Sequence, residues 1–480
     1  MPLQQIMDGI NFMAPLPDLD IAGLTHDSRQ VAPGCLFVAL PGLHVQGTAF
    51  ITEAFHNGAR AVAGPAPRPD SVKEPYIALS DPLAAYSRMA ANFYQHPSKR
   101  VLVIGITGTN GKTTTAEVMA AILHAHEIPA AIVGTLGLRY EQTSASTGFT
   151  TPEANQIHKI FAELRDRKIQ GVVMEVSSHA LKQRRVDDVD FDIAVFTNFS
   201  QDHLDYHTDM DDYLAAKLRL FGLLPAGRPA VVNLDDPCSQ QFIQAAPALV
   251  ITYGLGKESD LQVVEMGLSL DVTVANLVYR DQAFSIESSL VGQYNLENLL
   301  AASATALVLD IPPSIIQAGI AAVTAVPGRL ERIPSATPGK IFIDYAHTPD
   351  AYAQLLGTMR QLAPRKTEII TLFGCGGDRD RAKRPLMANQ AEIYSDRLVI
   401  TSDNPRTENL EQIITDILAG LSRKKHVVIA NRKEALLHAL TTMTDDSILM
   451  ILGKGREDYE IIGTEKVYHN DVEIVETYEP

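Results

Sequence analysis

At 480 residues, with 46% hydrophobic and 20% charged residues, the chain has room for roughly two to four globular domains and is neither a fibre nor a disordered tail. A formal charge of −16 and a pI near 5.3, without any segregated basic stretch, exclude a general nucleic-acid binder, so an anionic substrate must be held by local Lys, Arg, metal ions and backbone N–H groups. Cys35, Cys238 and Cys375 form no CxxC pair or disulfide set, Met1 to Met13 lacks the pattern of a secretory leader, and no apolar run nears the ~20 residues that span a bilayer; a cytoplasmic protein without membrane insertion is expected.

Residues 1–98 hold short strand-like runs such as Cys35 to Leu40, broken by Pro and Gly, and a helix-like stretch from Pro82 to Tyr94, which predicts a small α/β domain. Pro97 to Arg100 punctuates the chain, and Val101 to Ile106 is a continuous β-branched run of the kind buried on both faces of a parallel sheet. A Gly-rich turn follows, then the helix-forming stretch Thr114 to Ala125. Similar apolar runs recur at Gly171 to Val176, Ile193 to Phe196 and Pro229 to Val232, predicting a doubly wound parallel sheet in a central domain, 99–334. After the Pro-, Ser- and Thr-rich stretch Ile333 to Gly339, strand candidates at Ile341 to Asp344, Glu368 to Phe373, Arg397 to Ile400 and Ser447 to Leu452 alternate with helices, predicting a third α/β domain, 335–480.

The strand–turn–helix context gives GTNGKT its chemistry. Backbone N–H groups of Gly108, Thr109, Asn110, Gly111 and Thr114 can face phosphate oxygens, Lys112 can reach the β/γ-phosphates, and the Thr113 hydroxyl can ligate Mg²⁺. Two residues separate Gly108 from Gly111 where the common nucleotide loop has four, so a plain surface turn stays open. Glu175 ends the next strand candidate, and Asn198 and the run Asp202 to His207 follow another. Strand C-termini of an open parallel sheet face the ligand crevice, where a carboxylate and an imidazole beside a triphosphate suit Mg²⁺. Singly, they read as solvated loop groups, and Lys217 as an ordinary surface lysine.

Asn295 to Asn298 opens a helix. With Arg329, and with Asp344 and His347 at a strand end, it could contact a ribose or phosphate, although Asp344 reads equally as a cap. Three later loops, Gly376 to Arg379, Asp403 to Arg406 and Gly453 to Glu457, each follow a strand. Two guanidiniums and a carboxylate converging there would suit a zwitterionic amino acid.

In order, GTNGKT, Met174 to His179, Thr197-Asn198, DHLDYH from Asp202, Ala216-Lys217, Tyr294 to Asn298, GRLER from Gly328, DYAHTP from Asp344, GCGGDRDRAKRP from Gly374 and DNPR from Asp403 resemble the Mur ligase family almost end to end. The resemblance implies an N-terminal UDP-sugar domain, a central P-loop-type ATPase domain and a C-terminal Rossmann-like amino-acid domain. It implies ATP-dependent amide-bond formation in peptidoglycan precursor synthesis, with meso-diaminopimelate joined to the D-glutamate of a UDP-muramoyl dipeptide; an L-lysine-adding member of the family is the alternative. Ser28, Thr150, Thr151, Ser177, Gln183 and Arg185 correspond to muramoyl-dipeptide contacts. Arg379, Asp403, Asn404, Pro405, Arg406, Gly453 and Glu457 correspond to diaminopimelate contacts. Lys217 corresponds to a lysine carrying a CO₂-derived carbamate, which with His203 would hold a second Mg²⁺ beside the first at Thr113 and Glu175. Lys112, Lys217 and His203 are the expected catalytic set, the partners are small molecules, and a monomer is expected. Gln46-Gly47-Thr48 and Phe149 depart from the family pattern near the uridine and sugar contacts. Two rival classes, a non-catalytic UDP-sugar scaffold and a P-loop motor or GTPase, conflict respectively with the intact Lys112, Thr113, Glu175 and His203 set and with the short loop.

Overall fold

Three parallel-rich sheets follow one another along the chain. The computed structural model describes every residue except 13, 14, 43, 44, 248, 257, 423, 424 and 480. The first sheet pairs Gly23–Thr25, Cys35–Val38, Ala61–Pro65 and Tyr76–Leu79, all parallel. Helix Pro82–Phe93 packs on it, opened by the Asp81 side chain accepting from Ala84 N at 3.1 Å with Pro82 in the first turn, where its missing N–H costs nothing.

The second sheet is built around six parallel strands in the order Val250–Gly254, Ala230–Asn233, Ile193–Phe196, Leu102–Thr107, Gly171–Glu175 and Ala130–Gly134. One face packs against helices Lys112–Ala125, Gln293–Val308 and Pro313–Ala322, the other against Ala154–Asp166 and Met210–Gly222. Being covered on both sides is why these strands read as unbroken apolar runs. Leu261–Leu268 continues the sheet in parallel beyond Val250–Gly254, and antiparallel strands then extend both edges: Thr273–Tyr279 and Gln282–Ser288 on one, Gly137–Tyr140 and Thr143–Ala145 on the other. They were not foreseen because they are half-buried and alternate in character, as the buried–exposed rhythm of Thr273–Tyr279 shows.

The third sheet runs Glu331–Ile333, Lys340–Asp344, Ser447–Leu452, Glu368–Phe373, Arg397–Ile400 and His426–Val428, parallel except for its first strand. The Pro-, Ser- and Thr-rich stretch is therefore the turn between its first two strands, and the sheet starts at Glu331, ahead of the boundary expected at 335. The helix after the glycine loop likewise begins at Lys112 and not at Thr114. Gly111, at φ +85°, bends the backbone straight into the helix, and a Cβ there would lie 2.2 Å from Asn298 Oδ1. Among the described residues no helix is long and apolar enough to cross a membrane.

His158, on helix Ala154–Asp166, is fully buried with neither ring nitrogen hydrogen-bonded. Burial, aided by His96, pushes its pKa down to about 3. The unfolded chain therefore binds a proton below pH 6.5 that the folded chain refuses, so stability is lost as pH falls from about 6.5 towards 3, by up to ~1.4 kcal/mol per pH unit. Urea melts at pH 7 and pH 5 should show this loss, and His158→Leu should reduce it.

Candidate active site

The C-terminal ends of neighbouring strands in the central sheet gather the first group of side chains. Leu102–Thr107 delivers the glycine loop, Gly171–Glu175 delivers Glu175, and Ile193–Phe196 leads to Asn198. Gly108 sits at φ +152°, and a Cβ there would fall 1.9 Å from Thr197 Oγ1, so only glycine lets the loop approach this strand end. Asn198 Oδ1 accepts from Asn110 N at 2.8 Å, and Thr109 N donates to Asn198 O at 2.8 Å, which fixes the loop from below. Lys112 Nζ donates to the Gly108 and Thr109 carbonyls at 2.8 and 2.9 Å.

Glu175 is buried. Thr113 Oγ1 and Thr135 Oγ1 donate to its Oε2 at 3.1 and 3.0 Å, while Thr135 N donates to Oε1 at 2.9 Å. Thr113 is also reached by Arg329, whose Nη2 lies 3.2 Å from Thr113 Oγ1. Lys217, buried on helix Met210–Gly222, donates to the Gly108 carbonyl at 2.7 Å, its ammonium 4.5 Å from the centre of the Tyr213 ring. Burial, then the charge of Lys112, pushes the Lys217 pKa well below the ordinary lysine value; burial lowers that of Lys112 too. His203, at φ +55°, meets the His179 ring edge-on at 4.8 Å with its Nε2 3.5 Å from Asp202 Oδ2. Burial outweighs Asp202 and takes His203 down to about 3, so its imidazole is neutral at physiological pH.

Asn295 stands one step back: it donates to Val291 O at 2.9 Å and accepts from Asn298, which backs Gly111. Asp344 is buried and receives Leu330 N and Ala346 N at 2.6 Å each, which is its capping reading; His347 Nδ1 lies 2.9 Å from Tyr345 O. Asn110 Nδ2 lies 3.4 Å from Asp350 Oδ2, so the third sheet's helix Pro349–Leu362 stands against the glycine loop.

A second group adjoins the first. Thr151 Oγ1 donates to Glu175 O at 2.8 Å and accepts from Ser177 N at 2.9 Å, and Thr150 Oγ1 lies 3.2 Å from Thr135 Oγ1. Arg185 donates to Thr151 O at 2.8 Å, forks Gln183 Oε1 at 2.9 and 2.6 Å and pairs with Glu153 at 2.8 Å under the Phe149 ring. Ser28 is apart from this cluster, its hydroxyl donating to Glu53 Oε2 at 3.0 Å in the first sheet's unit.

The three loops of the third sheet do converge, because Ser447–Leu452, Glu368–Phe373 and Arg397–Ile400 are adjacent strands. Gly377 N donates to Asn404 O at 2.9 Å; a Cβ on Gly376 would meet Arg406 Nη1 at 2.9 Å and Arg379 Cγ at 3.8 Å; one on Gly453 would meet Asp403 Oδ2 at 2.5 Å. Arg406 holds a left-handed backbone, φ +51°, clamped by Arg406 N to Ile461 O at 2.9 Å and Gly463 N to Arg406 O at 2.8 Å. Its guanidinium donates to Gly377 O at 2.7 Å and enters no ion pair among the described residues; Glu408 is taken by Arg384 at 2.8 Å instead. Glu457 Oε2 accepts from Asn404 Nδ2 at 2.9 Å, and its Oε1 from Tyr345 OH at 3.2 Å. Behind both loops, the buried Arg432 donates to Ser402 O and Leu452 O and pairs with Asp471 at 2.7 Å.

Sequence reasoning missed Thr135, Tyr345, Lys454 and the Arg432–Asp471 brace. Tyr345 lies inside a quoted motif and its ring carries Arg329 at 5.2 Å, but nothing local in the sequence marks it as the link from Thr113 to Glu457.

The pattern of the Mur ligase middle domain matches residues 106–306, that of the Mur ligase glutamate ligase domain 328–455, and that of the Mur ligase family catalytic domain 20–94. The UDP-N-acetylmuramoyl-L-alanyl-D-glutamate–2,6-diaminopimelate ligase of Syntrophomonas wolfei is 41% identical over 459 residues, covering 95% of this chain and 94% of that protein. Its Geobacter sulfurreducens counterpart is 42% identical over 481 residues, covering 95% and 93%. A solved structure of a ligase of that name superposes with a TM-score of 0.70 at 31% identity, covering 99% of this chain and 98% of the other. With matching patterns over each of the three parallel-rich sheets among the described residues and full-length relatives above 40% identity, the chain belongs to the Mur ligase family.

Proposed function

We propose that this protein is the ATP-dependent ligase that joins meso-diaminopimelate to the D-glutamate of UDP-N-acetylmuramoyl-L-alanyl-D-glutamate, in cytoplasmic peptidoglycan precursor synthesis. The observation that carries this reading is the loop cluster of the third sheet, where Arg406, in no ion pair among the described residues and with only the exposed Asp378 acting on its charge, stands beside Arg379 in the loops that also carry Glu457. Relatives named for this reaction align over nearly the whole chain. Diaminopimelate and L-lysine differ at the distal end, where only the former offers a carboxylate for Arg406; lysine would set an ammonium against it. The units 1–98, 99–330 and 331–480, the last beginning at the first strand of the third sheet, are read as UDP-sugar, ATPase and amino-acid domains.

The D-glutamyl carboxylate attacks the γ-phosphorus of ATP, a P–O bond forms and ADP leaves. The amine then attacks the acyl carbon, losing a proton, and phosphate departs as the amide forms. Like charges 4 Å apart repel by roughly 4 kcal/mol at an effective dielectric of 20, so a carboxylate approaching a triphosphate needs compensation. Lys112, the loop amides and Arg329 supply part of it. Thr113 and Glu175 suit one Mg²⁺, and His203 with a carbamate on Lys217 a second. These are mainly hard oxygen donors, the kind Mg²⁺ takes. Mg²⁺ held by these residues would supply Lewis-acid charge neutralisation for the phosphoryl oxygens. The neutral imidazole of His203 is ready to ligate, and the uncharged amine favoured at Lys217 is the form that attacks CO₂. Contacts of Asn110 with Asp350 and of Arg329 with Thr113 bring the third sheet against the ATP loop, which would shield the acyl phosphate from water.

Isotope transfer tests the route. With ¹⁸O in the glutamyl carboxylate, one labelled oxygen should appear in the released phosphate; unlabelled phosphate would rule out the acyl-phosphate intermediate.

A further inference from the structure

Lys454 has no role in the reading above, yet its side chain is shut off from solvent inside the amino-acid pocket, with 0% exposure. Its ammonium donates to Asn404 Oδ1 at 3.1 Å and Glu457 Oε2 at 3.3 Å, and the Tyr459 ring centre lies 5.8 Å away. Asn404 Oδ1 also accepts from Ile461 N at 2.8 Å, so two donors fix the amide's orientation and turn its Nδ2 onto Glu457. Glu457 thus faces Lys454, Asn404 and Tyr345 from within the protein.

We propose that Lys454 is a specificity-determining and positioning residue. By neutralising Glu457 from inside, it leaves a surplus of positive charge at the pocket, because Arg406 and Arg379 are offset only by the single exposed carboxylate of Asp378. That surplus accepts an amino acid whose distal end carries both a carboxylate and an ammonium, and rejects one ending in a lone ammonium. Glu457, already partnered, can share an ammonium whose own carboxylate is held by Arg406. It does not offer the unpaired charge that would hold a lone ammonium. Removing the Lys454 charge frees Glu457 to do so, so lysine is discriminated against by a charge that it need never touch. This inference rests on the diaminopimelate reading of the pocket.

The experiment measures kcat and KM of the full chain for meso-diaminopimelate and for L-lysine with ATP and the UDP-muramoyl dipeptide, in wild type, Lys454→Gln and Lys454→Gln/Glu457→Gln. Glutamine can still donate to Glu457 and Asn404 but carries no charge. In Lys454→Gln the diaminopimelate-to-lysine ratio of kcat/KM should fall by about 10-fold or more, chiefly through KM, and the double variant should lose any gain in lysine use. A folded Lys454→Gln protein in which both amino acids weaken equally, or the ratio is unchanged, overturns the proposal and leaves Lys454 a structural buttress. Should Lys454→Gln not fold, Lys454→Arg keeps the charge and must keep the wild-type ratio; a ratio fallen 10-fold there overturns it as well. A wild-type enzyme that does not prefer meso-diaminopimelate fails the underlying reading instead, so the two failures are distinguishable.

Discussion

Arg406→Ala should lower kcat/KM for meso-diaminopimelate by a factor of about 30 to several thousand, the equivalent of roughly 2 to 5 kcal/mol for truncating one member of a buried charge pair. The obvious structural alternative, that Arg406 merely neutralises Glu408, does not hold, since Arg384 takes both Glu408 oxygens at 2.8 and 3.0 Å. What Arg406 has instead is a left-handed backbone, a conformation costing a side-chain-bearing residue about 1 to 2 kcal/mol, held by two backbone hydrogen bonds to the Ile461–Gly463 turn. Strain kept in place by surrounding contacts is what a functional side chain aimed at a ligand shows. L-lysine use should fall far less, because lysine has no distal carboxylate to lose. Equal slowing of both substrates would mean that Arg406 supports the loop and does not read the substrate.

Lys217→Ala should be nearly inactive, with turnover down by a factor of about 100 to 1,000 or more, the scale of losing one preorganised electrostatic group at a reacting centre. Two roles compete for this residue. As it stands, Nζ clamps the Gly108 carbonyl, a cationic role; as a carbamate it would be an anionic oxygen ligand. Chemical rescue separates them. Formate or acetate filling the space left by the truncated chain should restore part of the activity if the group is a carbamate, whereas a small alkylamine should do so if it is an ammonium clamp. Rescue by the amine alone would end the carbamate assignment.

The parallel strands were legible because a strand buried on both faces has no polar alternation, and Ile193 to Phe196 or Glu368 to Phe373 admit little else. The antiparallel edges were not, since Thr273–Tyr279 alternates as any half-exposed segment does. Within the site, the glycine loop declared itself through residues whose backbone requirement is local: Gly108 and Gly111 stand where a Cβ would strike Thr197 and Asn298. Convergence of the three Arg- and Glu-bearing loops depended on strand order, which no local pattern encodes. Lys454 and Arg432 were invisible for the same reason: a buried cation differs from a surface one only by its partners, and Asn404 and Asp471 are brought to them by the fold.

The central claim is tested most directly by phosphate release from ATP, measured with the wild-type protein, UDP-N-acetylmuramoyl-L-alanyl-D-glutamate and a panel of amino acids. Meso-diaminopimelate should stimulate release with a kcat/KM far above that of L-lysine; equal or better use of L-lysine, or no stimulation by either, would contradict the account.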